Sequence, residues 1–264
     1  AFYKGHYYCD KAPGLSFAAV PVYALYKFLI EPPLMGYFRA GLQDDDIEGK
    51  IALDRLSHQF KLWAARALTV SMLSALFAVF FIIVLGKKYG VVGTILGYAY
   101  ALGTMAFCYS TVFYAHQIAA ALLFTSFLMI DSKFGKNSFV SDFLPGLLIG
   151  ISFIFEYPTL LIGGIIGIYH ICLLFKESAN DGHLNRKRYL TRFAIFAAGA
   201  FLPVIGIPFY NNACFGNPFK LGYGMLVEGT KFKEEMDKGI FGINLPSFSA
   251  MWGITFSPKK GIFI

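Results

Sequence analysis

Long apolar stretches alternate with short polar ones through most of the chain, on the length scale of a lipid bilayer. A helix that crosses a membrane needs about 20 mainly apolar residues. Ala67 to Leu85 and Gly90 to Tyr109 meet that length with no charge inside, and Thr111 to Ile130 is interrupted only by His116 and Gln117. Phe143 to Phe175 is apolar except at Glu156-Tyr157-Pro158. Proline removes a backbone donor and disfavours helical geometry in the residue before it, so this stretch reads as two short helices, Phe143 to Phe155 and Thr159 to Phe175, meeting at a polar break. Phe193 to Tyr210 supplies the last clear span. The pattern therefore predicts six membrane helices.

The connections orient them. Lys87-Lys88, the loop Asp131 to Asp142 with Lys133 and Lys136, and the loop Lys176 to Arg192 with Arg186-Lys187-Arg188 are basic. The alternate connections, Tyr109 to His116 and Glu156 to Pro158, hold no Lys or Arg. The positive-inside rule then makes the basic loops cytoplasmic and puts the others on the outer or lumenal face. By parity the stretch Glu31 to Lys61, acidic at Asp44-Asp45-Asp46, is an outer loop. Pro13 to Ile30 either spans or lies along the outer interface as a juxtamembrane helix. The second is preferred, because Lys4 to Lys11 then share the outer face with His116, Glu156 and the tail from Asn211. That tail is rich in Gly, Pro and aromatic residues and sustains no helical or strand period, so it reads as an ordered outer loop with interfacial segments.

Composition agrees. Of 264 residues, 56% are hydrophobic and only 15% charged, which places the chain among polytopic membrane proteins. The fold class expected is all-α, a membrane helix bundle with an outer juxtamembrane helix and outer loops. It forms a single transmembrane domain of residues 1–66 (outer loop with helix), 67–210 (spans) and 211–264 (outer loop). The start at Ala1 and the stop inside an apolar run at Ile264 suggest a piece of a longer chain, cut at both ends. The formal charge of +7 lies in short blocks between apolar spans, where it orients helices, so nucleic acid is not an expected partner. Cys9, Cys108, Cys172 and Cys214 show no CxxC spacing and read as unpaired thiols, although Cys9 and Cys214 are able to meet in an oxidising compartment.

Several polar residues invite a chemical reading beside a plain one. Asp10-Lys11-Ala12-Pro13-Gly14 is either a solvated turn or a place where Lys11 contacts phosphate while Asp10 binds metal or orients a hydroxyl. His116, beside Tyr109, Ser110 and Tyr114, is either an interfacial hydrogen-bonding group or a sugar- or metal-facing one. Glu156 either caps the helix break or binds sugar hydroxyls, since an ionisable group costs roughly 2.5 kcal/mol or more near the bilayer centre unless solvated or paired. Lys259 and Lys260 either snorkel at a membrane entry or hold a lipid phosphate, a role for which Arg66 competes. Asp44 to Asp46 lack the ligand spacing of a calcium loop and read as a solvated face.

Lys4-Gly-His-Tyr-Tyr-Cys-Asp-Lys-Ala-Pro-Gly-Leu-Ser16, Gly103-Thr-Met-Ala-Phe-Cys-Tyr-Ser-Thr-Val-Phe-Tyr-Ala-His116, Phe155-Glu-Tyr-Pro158, Tyr210-Asn-Asn-Ala-Cys-Phe-Gly-Asn-Pro-Phe219 and Phe256-Ser-Pro-Lys-Lys-Gly261 occur in that order. Together they resemble the bacterial and archaeal branch of the GT-C membrane glycosyltransferases, relatives of the protein O-mannosyltransferases and of the lipid A aminoarabinose transferase. The resemblance implies a GT-C type bundle that moves a sugar from a polyprenyl-phosphate donor to a protein, lipid or glycan acceptor at the outer face. It implies donor-phosphate contacts from Lys11, Lys259, Lys260 and Arg66, and substrate contacts from Asp10, Tyr7, Tyr8, His116, Glu156 and Tyr157. A Lys-Pro-Pro element in such families is Lys11-Ala12-Pro13 here. The family's acidic catalytic residue normally lies earlier in the chain, so the general base is not assigned, and a divalent metal, Mg or Mn, is a conditional cofactor with Asp10 and His116 as its candidates. The expected location is a prokaryotic plasma membrane in preference to the endoplasmic reticulum, with membrane lipids as partners. Two rivals stand beside the enzyme: a secondary transporter with its broken helix at Glu156, and a non-catalytic membrane subunit.

Overall fold

The computed structural model describes residues 2–43, 46–132, 138–180, 186–225, 231–239 and 245–258. The chain forms two compact units, one of Ala12–Ile207 and one of Ala1–Lys11 with Pro208–Ile264.

The larger unit is helical throughout. Helix α1 (Gly14–Arg39) is continuous but widens to a π-turn at Tyr26–Ile30, just ahead of Pro32 and Pro33. Two successive prolines offer no N–H to the carbonyls one turn back, and a wider turn accommodates that loss. Helix α2 (Ile47–Gly103) starts at Asp46, whose side chain accepts from the Gly49 N–H at 2.8 Å. A second π-turn occupies Arg66–Ser71. At Gly90, with φ 62° and ψ −140°, α2 doubles back on itself. The two limbs touch through Gly93 and Gly97, where a Cβ would lie 2.0 Å from the Leu85 carbonyl oxygen and 2.8 Å from the Ile82 Cα. Glycines spaced four apart let two apolar helices approach backbone to backbone. Lys87 and Lys88 lie exposed at the turn.

Helices α3 (Met105–Ser110), α4 (His116–Asp131), α5 (Phe139–Phe155), α6 (Thr159–Asn180) and α7 (Arg186–Val204) complete the unit. A reciprocal capping box of Ser138 and Ser141 starts α5. Leu123, Ile130, Ile149, Ile166 and Phe196 form a core shared by α4 to α7. The tightest contact is between α5 and α7: a Cβ on Gly146 would lie 2.0 Å from the Phe196 carbonyl oxygen, and one on Gly150 would lie 2.1 Å from that of Ala200.

The smaller unit opens with an antiparallel hairpin of β1 (Phe2–Tyr3) and β2 (His6–Tyr7), joined by Lys4 and Gly5 at φ 47° and 82°. Positive φ at both central residues gives a turn whose twist matches that of the strands. Helix α8 (Gly206–Phe215), from Pro208 onward, belongs here, as do a 3₁₀ turn at Gly222–Met225, α9 (Lys231–Met236) and α10 (Phe248–Thr255).

Among the described residues four helices are long and apolar enough to cross a membrane: Gly14–Arg39, Ile47–Gly103, Thr159–Glu177 and Lys187–Phe215; the apolar helices α4 and α5 are shorter. Large apolar side chains such as Val91, Leu102, Leu161 and Ile165 stand exposed along them, a surface that calls for lipid. This is a helical membrane protein.

The elements depart from the sequence expectation in specific places. The stretch Glu31 to Lys61, expected as an outer loop, is helical almost throughout, because Glu31 finds Lys61 at 2.6 Å and the Ser57 hydroxyl at 2.5 Å and is paired between α1 and α2. The helix expected over Pro13 to Ile30 continues to Arg39 and is itself long enough to span, whereas an interfacial placement was preferred from sequence. The span Gly90 to Tyr109 is broken at Thr104, whose backbone is extended and whose side-chain hydroxyl caps α3 by accepting from the Ala106 N–H. The tail, expected as loop, carries α9 and α10.

Because Gly146 and Gly150 face backbone, Gly150→Leu is expected to destabilise the folded protein in detergent by about 3 kcal/mol or more. Gly164→Leu, with nothing within 4 Å of its added carbon, serves as the neutral comparison. Thermal unfolding of the two variants reads the difference.

Candidate functional site

The break between α5 and α6 builds one polar centre. The Glu156 backbone is extended, at φ −150° and ψ 110°, and its carbonyl accepts from the Thr159 N–H at 3.1 Å and the Thr159 hydroxyl at 2.7 Å. The chain thus stops one helix and starts the next within three residues, which aims the Glu156 side chain away from both helix axes. Its Oε1 meets Nδ1 of His116, the first residue of α4, at 2.9 Å. Tyr109 meets the imidazole edge-on at 4.8 Å between ring centres, and Tyr114 stacks on it at 5.6 Å and 15°. His116 is about half exposed (47%) and Glu156 less so (24%).

Two contacts hold this centre in place. Ala115, Ile118, Leu15 and Val70 form a buried cluster with Phe155 packed on it, so the residues just before Glu156 and beside His116 share one apolar base. Gly14 lies against the end of α5, where a Cβ would come within 2.5 Å of the Ile154 carbonyl oxygen and 2.9 Å of the Phe155 nitrogen. A carboxylate that orients an imidazole between two tyrosine rings offers proton transfer, hydroxyl recognition and aromatic stacking in one place.

The smaller unit carries a second, cationic group. Lys11 Nζ lies 3.5 Å from the Asp10 carboxylate and 5.2 Å from the centre of the Tyr223 ring. Tyr3 has the ammonium of Lys4 at 5.3 Å and that of Lys220 at 5.2 Å from its ring centre. Aromatic faces attract cations and hold long side chains in place. Tyr8 packs edge-on against the buried Phe215, at 5.4 Å. Gly222 is the hinge of the arrangement, since a Cβ there would lie 3.0 Å from both the Asp10 Cα and the Cys9 carbonyl oxygen. The buried Asn211 amide donates to the Pro218 carbonyl at 3.2 Å and pins the loop that presents Lys220.

Of the residues expected at a site, Asp10 and Lys11 are therefore together, and His116 and Glu156 are together. Tyr8 is seated on Phe215, Tyr7 is 84% exposed with its ring tilted against that of Phe2, and Tyr157 packs on Phe153. Arg66 is half-buried at the start of the second π-turn, one turn before Val70. Lys259 and Lys260 lie outside the described residues, as do Asp44 and Asp45, while Asp46 is a helix cap. Cys9, Cys108, Cys172 and Cys214 are free thiols. Lys220 and Tyr223 escaped the sequence reading, which placed Lys4 on the outer face but gave it no role; the signal for the pair was the Lys220-Leu-Gly-Tyr-Gly224 run, whose paired glycines mark a tight backbone approach.

A third polar cluster is buried and was not foreseen. Arg192 on α7 donates to both oxygens of Asp142 on α5, from Nε at 2.9 Å and Nη2 at 3.0 Å, and from Nη1 to Glu177 on α6 at 2.7 Å. His170 stacks on Phe196 at 4.7 Å, with Nε2 3.8 Å from Asp142. This bidentate pair clamps the ends of three helices.

A divalent metal finds no ready seat. Among the described residues no three His, Cys, Asp or Glu side chains gather as a metal group, and Asp10 and His116 each hold an ion-pair partner instead. No protein-family model, curated protein or solved structure matches the chain.

Removing one partner of a buried pair strands the other charge. Asp142→Asn is expected to cost about 3–5 kcal/mol of stability, while Arg39→Ala, which breaks an exposed pair with Asp54, changes stability by about 0.5 kcal/mol or less. Unfolding by denaturant in micelles measures both.

Proposed function

We propose that the protein is an integral membrane glycosyltransferase that transfers a sugar from a polyprenyl-phosphate-linked donor to an acceptor at the outer or lumenal face, on a GT-C type bundle. The observation that supports this reading best is the His116–Glu156 pair, held at 2.9 Å between Tyr109 and Tyr114. It joins two of the sequence pieces that carry the resemblance, 40 residues apart in the chain, into one solvent-accessible polar centre.

Each group has a defined task in this reading. Lys11, steadied by Asp10 and the Tyr223 ring, neutralises the donor phosphate, and fixed cations at a leaving phosphate stabilise the charge that develops there. Lys4 and Lys220, both ordered against Tyr3, extend that positive surface. Glu156 accepts hydrogen bonds from sugar hydroxyls, His116 donates or accepts one, and the flanking tyrosines present flat apolar faces to the sugar ring. The acceptor must lose a proton as its oxygen or nitrogen attacks the anomeric carbon, and the phosphate leaves with the bonding electron pair. No residue of this sequence is assigned as the base that takes that proton. The isoprenoid tail of the donor stays in lipid, which is why such chemistry sits at a membrane surface. The same reading places Lys87-Lys88 and Arg186-Lys187-Arg188 on the cytoplasmic side.

Secondary transport is a second reading, favoured by the proline-broken join of α5 and α6 at Glu156 and by the buried Asp142–Arg192–Glu177 network at the far ends of those helices, since ionisable groups within a bundle often mark an ion path.

Sugar transfer by the purified protein in lipid, supplied with radiolabelled polyprenyl-phosphate sugars, decides between them. Lys11→Ala is expected to lower turnover about a hundredfold, and Glu156→Gln to raise the donor KM more than it lowers kcat, with both variants unfolding as the wild type does. Loss of folded protein in step with loss of activity, or no consumption of any donor by folded protein, counts against the enzyme. Substrate uptake into vesicles that is abolished by Glu156→Gln in folded protein would favour transport.

A further inference from the structure

Residues 245–256 run Leu-Pro-Ser-Phe-Ser-Ala-Met-Trp-Gly-Ile-Thr-Phe, with no charge among them. Eight of them form α10, and none of its residues is buried. Leu245 is 94% exposed, Phe248 84% and Trp252 57%, with Met251, Ile254 and Phe256 also open. These side chains point around the helix and form no groove. Among the described residues α10 shows local bonds: Ser247 caps it by accepting from the Ala250 N–H at 3.1 Å, and the Trp252 and Phe256 rings lie 5.0 Å apart. So short a helix is marginal in water, because each turn must repay its own nucleation. Its apolar side chains need an environment that the described protein does not provide.

We infer that residues 245–256 lie in the interface of the bilayer, with α10 parallel to the membrane plane and its aromatic side chains at the level of the lipid head groups. Three features select the bilayer as the occupant. The smaller unit contains residues 208–215, the end of the candidate span Lys187–Phe215, so it begins at a membrane. The segment is too short to cross, and tryptophan with phenylalanine on a short uncharged element is the composition of the aromatic belt at a membrane–water interface. Ser257-Pro258 then leads to Lys259-Lys260 in the sequence, a cation pair placed for anionic head groups directly after the apolar run. Lipid burial supplies the apolar contact that α10 lacks, and partial exclusion of water strengthens its backbone hydrogen bonds. The inference rests on the membrane assignment and not on the sugar-transfer reading, so either stands if the other fails.

Trp252 reports on this directly, because the chain has only two tryptophans. In a Trp63→Phe background, the full chain is reconstituted into vesicles of phosphatidylcholine and phosphatidylglycerol, with bromines placed either near the head group or near the acyl end. The expected result is blue-shifted Trp252 emission, quenched severalfold more by the shallow bromines than by the deep ones and protected from aqueous acrylamide. Lys259→Gln with Lys260→Gln is expected to reduce the shallow quenching most where the phosphatidylglycerol fraction is highest, and little in phosphatidylcholine alone. If Trp63→Phe does not fold, subtracting the spectrum of Trp252→Phe from that of wild type gives the same signal. Free access of acrylamide with no quenching by either lipid overturns the inference. So does emission that shifts only on adding polyprenyl phosphate, which would make the isoprenoid chain the occupant, or only with protein density, which would make it a second copy.

Discussion

The helices α5 and α7 meet backbone to backbone, and much of the larger unit depends on that approach. Gly146 and Gly150 bring the α5 backbone against the carbonyl oxygens of Phe196 and Ala200, at distances no side chain would permit. In lipid the hydrophobic effect does not press one apolar helix on another, so close packing and polar contacts must do it. With the two helices this close, Asp142 and Arg192 come into bidentate contact, and Phe196 enters the core with Ile149 and Ile166. The hairpin within α2 uses the same device, through Gly93 and Gly97.

Charges in the larger unit follow a common rule. Three groups drawn in among the helices are paired: Asp142 and Glu177 on Arg192, Glu31 on Lys61 and Ser57, and Glu156 on His116. The first two groups tie helices together. The third stands at a helix break, is half exposed, and is walled by tyrosines. Solvent access and the adjoining rings distinguish a place that meets a ligand from one that only staples helices, and on that physical ground His116 and Glu156 carry the functional reading while Asp142 and Arg192 carry stability.

Parts of the candidate site were legible beforehand because they announce themselves locally. Glu156 stood out as a lone acid in apolar sequence next to a proline, and His116 as the polar opening of an apolar run. Lys11 stood out beside a Pro-Gly turn. Lys220 and Tyr223 did not, since a lysine and a tyrosine in a glycine-rich tail have no periodic neighbours to mark them. Arg192 and Asp142 were read as ordinary loop-edge charges, because a residue at the end of an apolar run is as able to face water as to face a partner helix.

The length and polarity of each apolar run set where helices begin, break and end, because the cost of placing a residue in lipid is paid residue by residue. From sequence alone this settled that the protein is helical and membrane-bound, that the chain reverses near Lys87-Lys88, and that a helix breaks at Glu156-Tyr157-Pro158. The same local accounting misjudged 31–61, where charges looked like loop until Glu31 met Lys61 across two helices. Which glycines touch backbone, which charge meets which, and that His116 lies on Glu156 were decided only by tertiary structure. Each depends on the rotation of a helix about its own axis and on the identity of its neighbour, and neither is written in the order of residues along one segment.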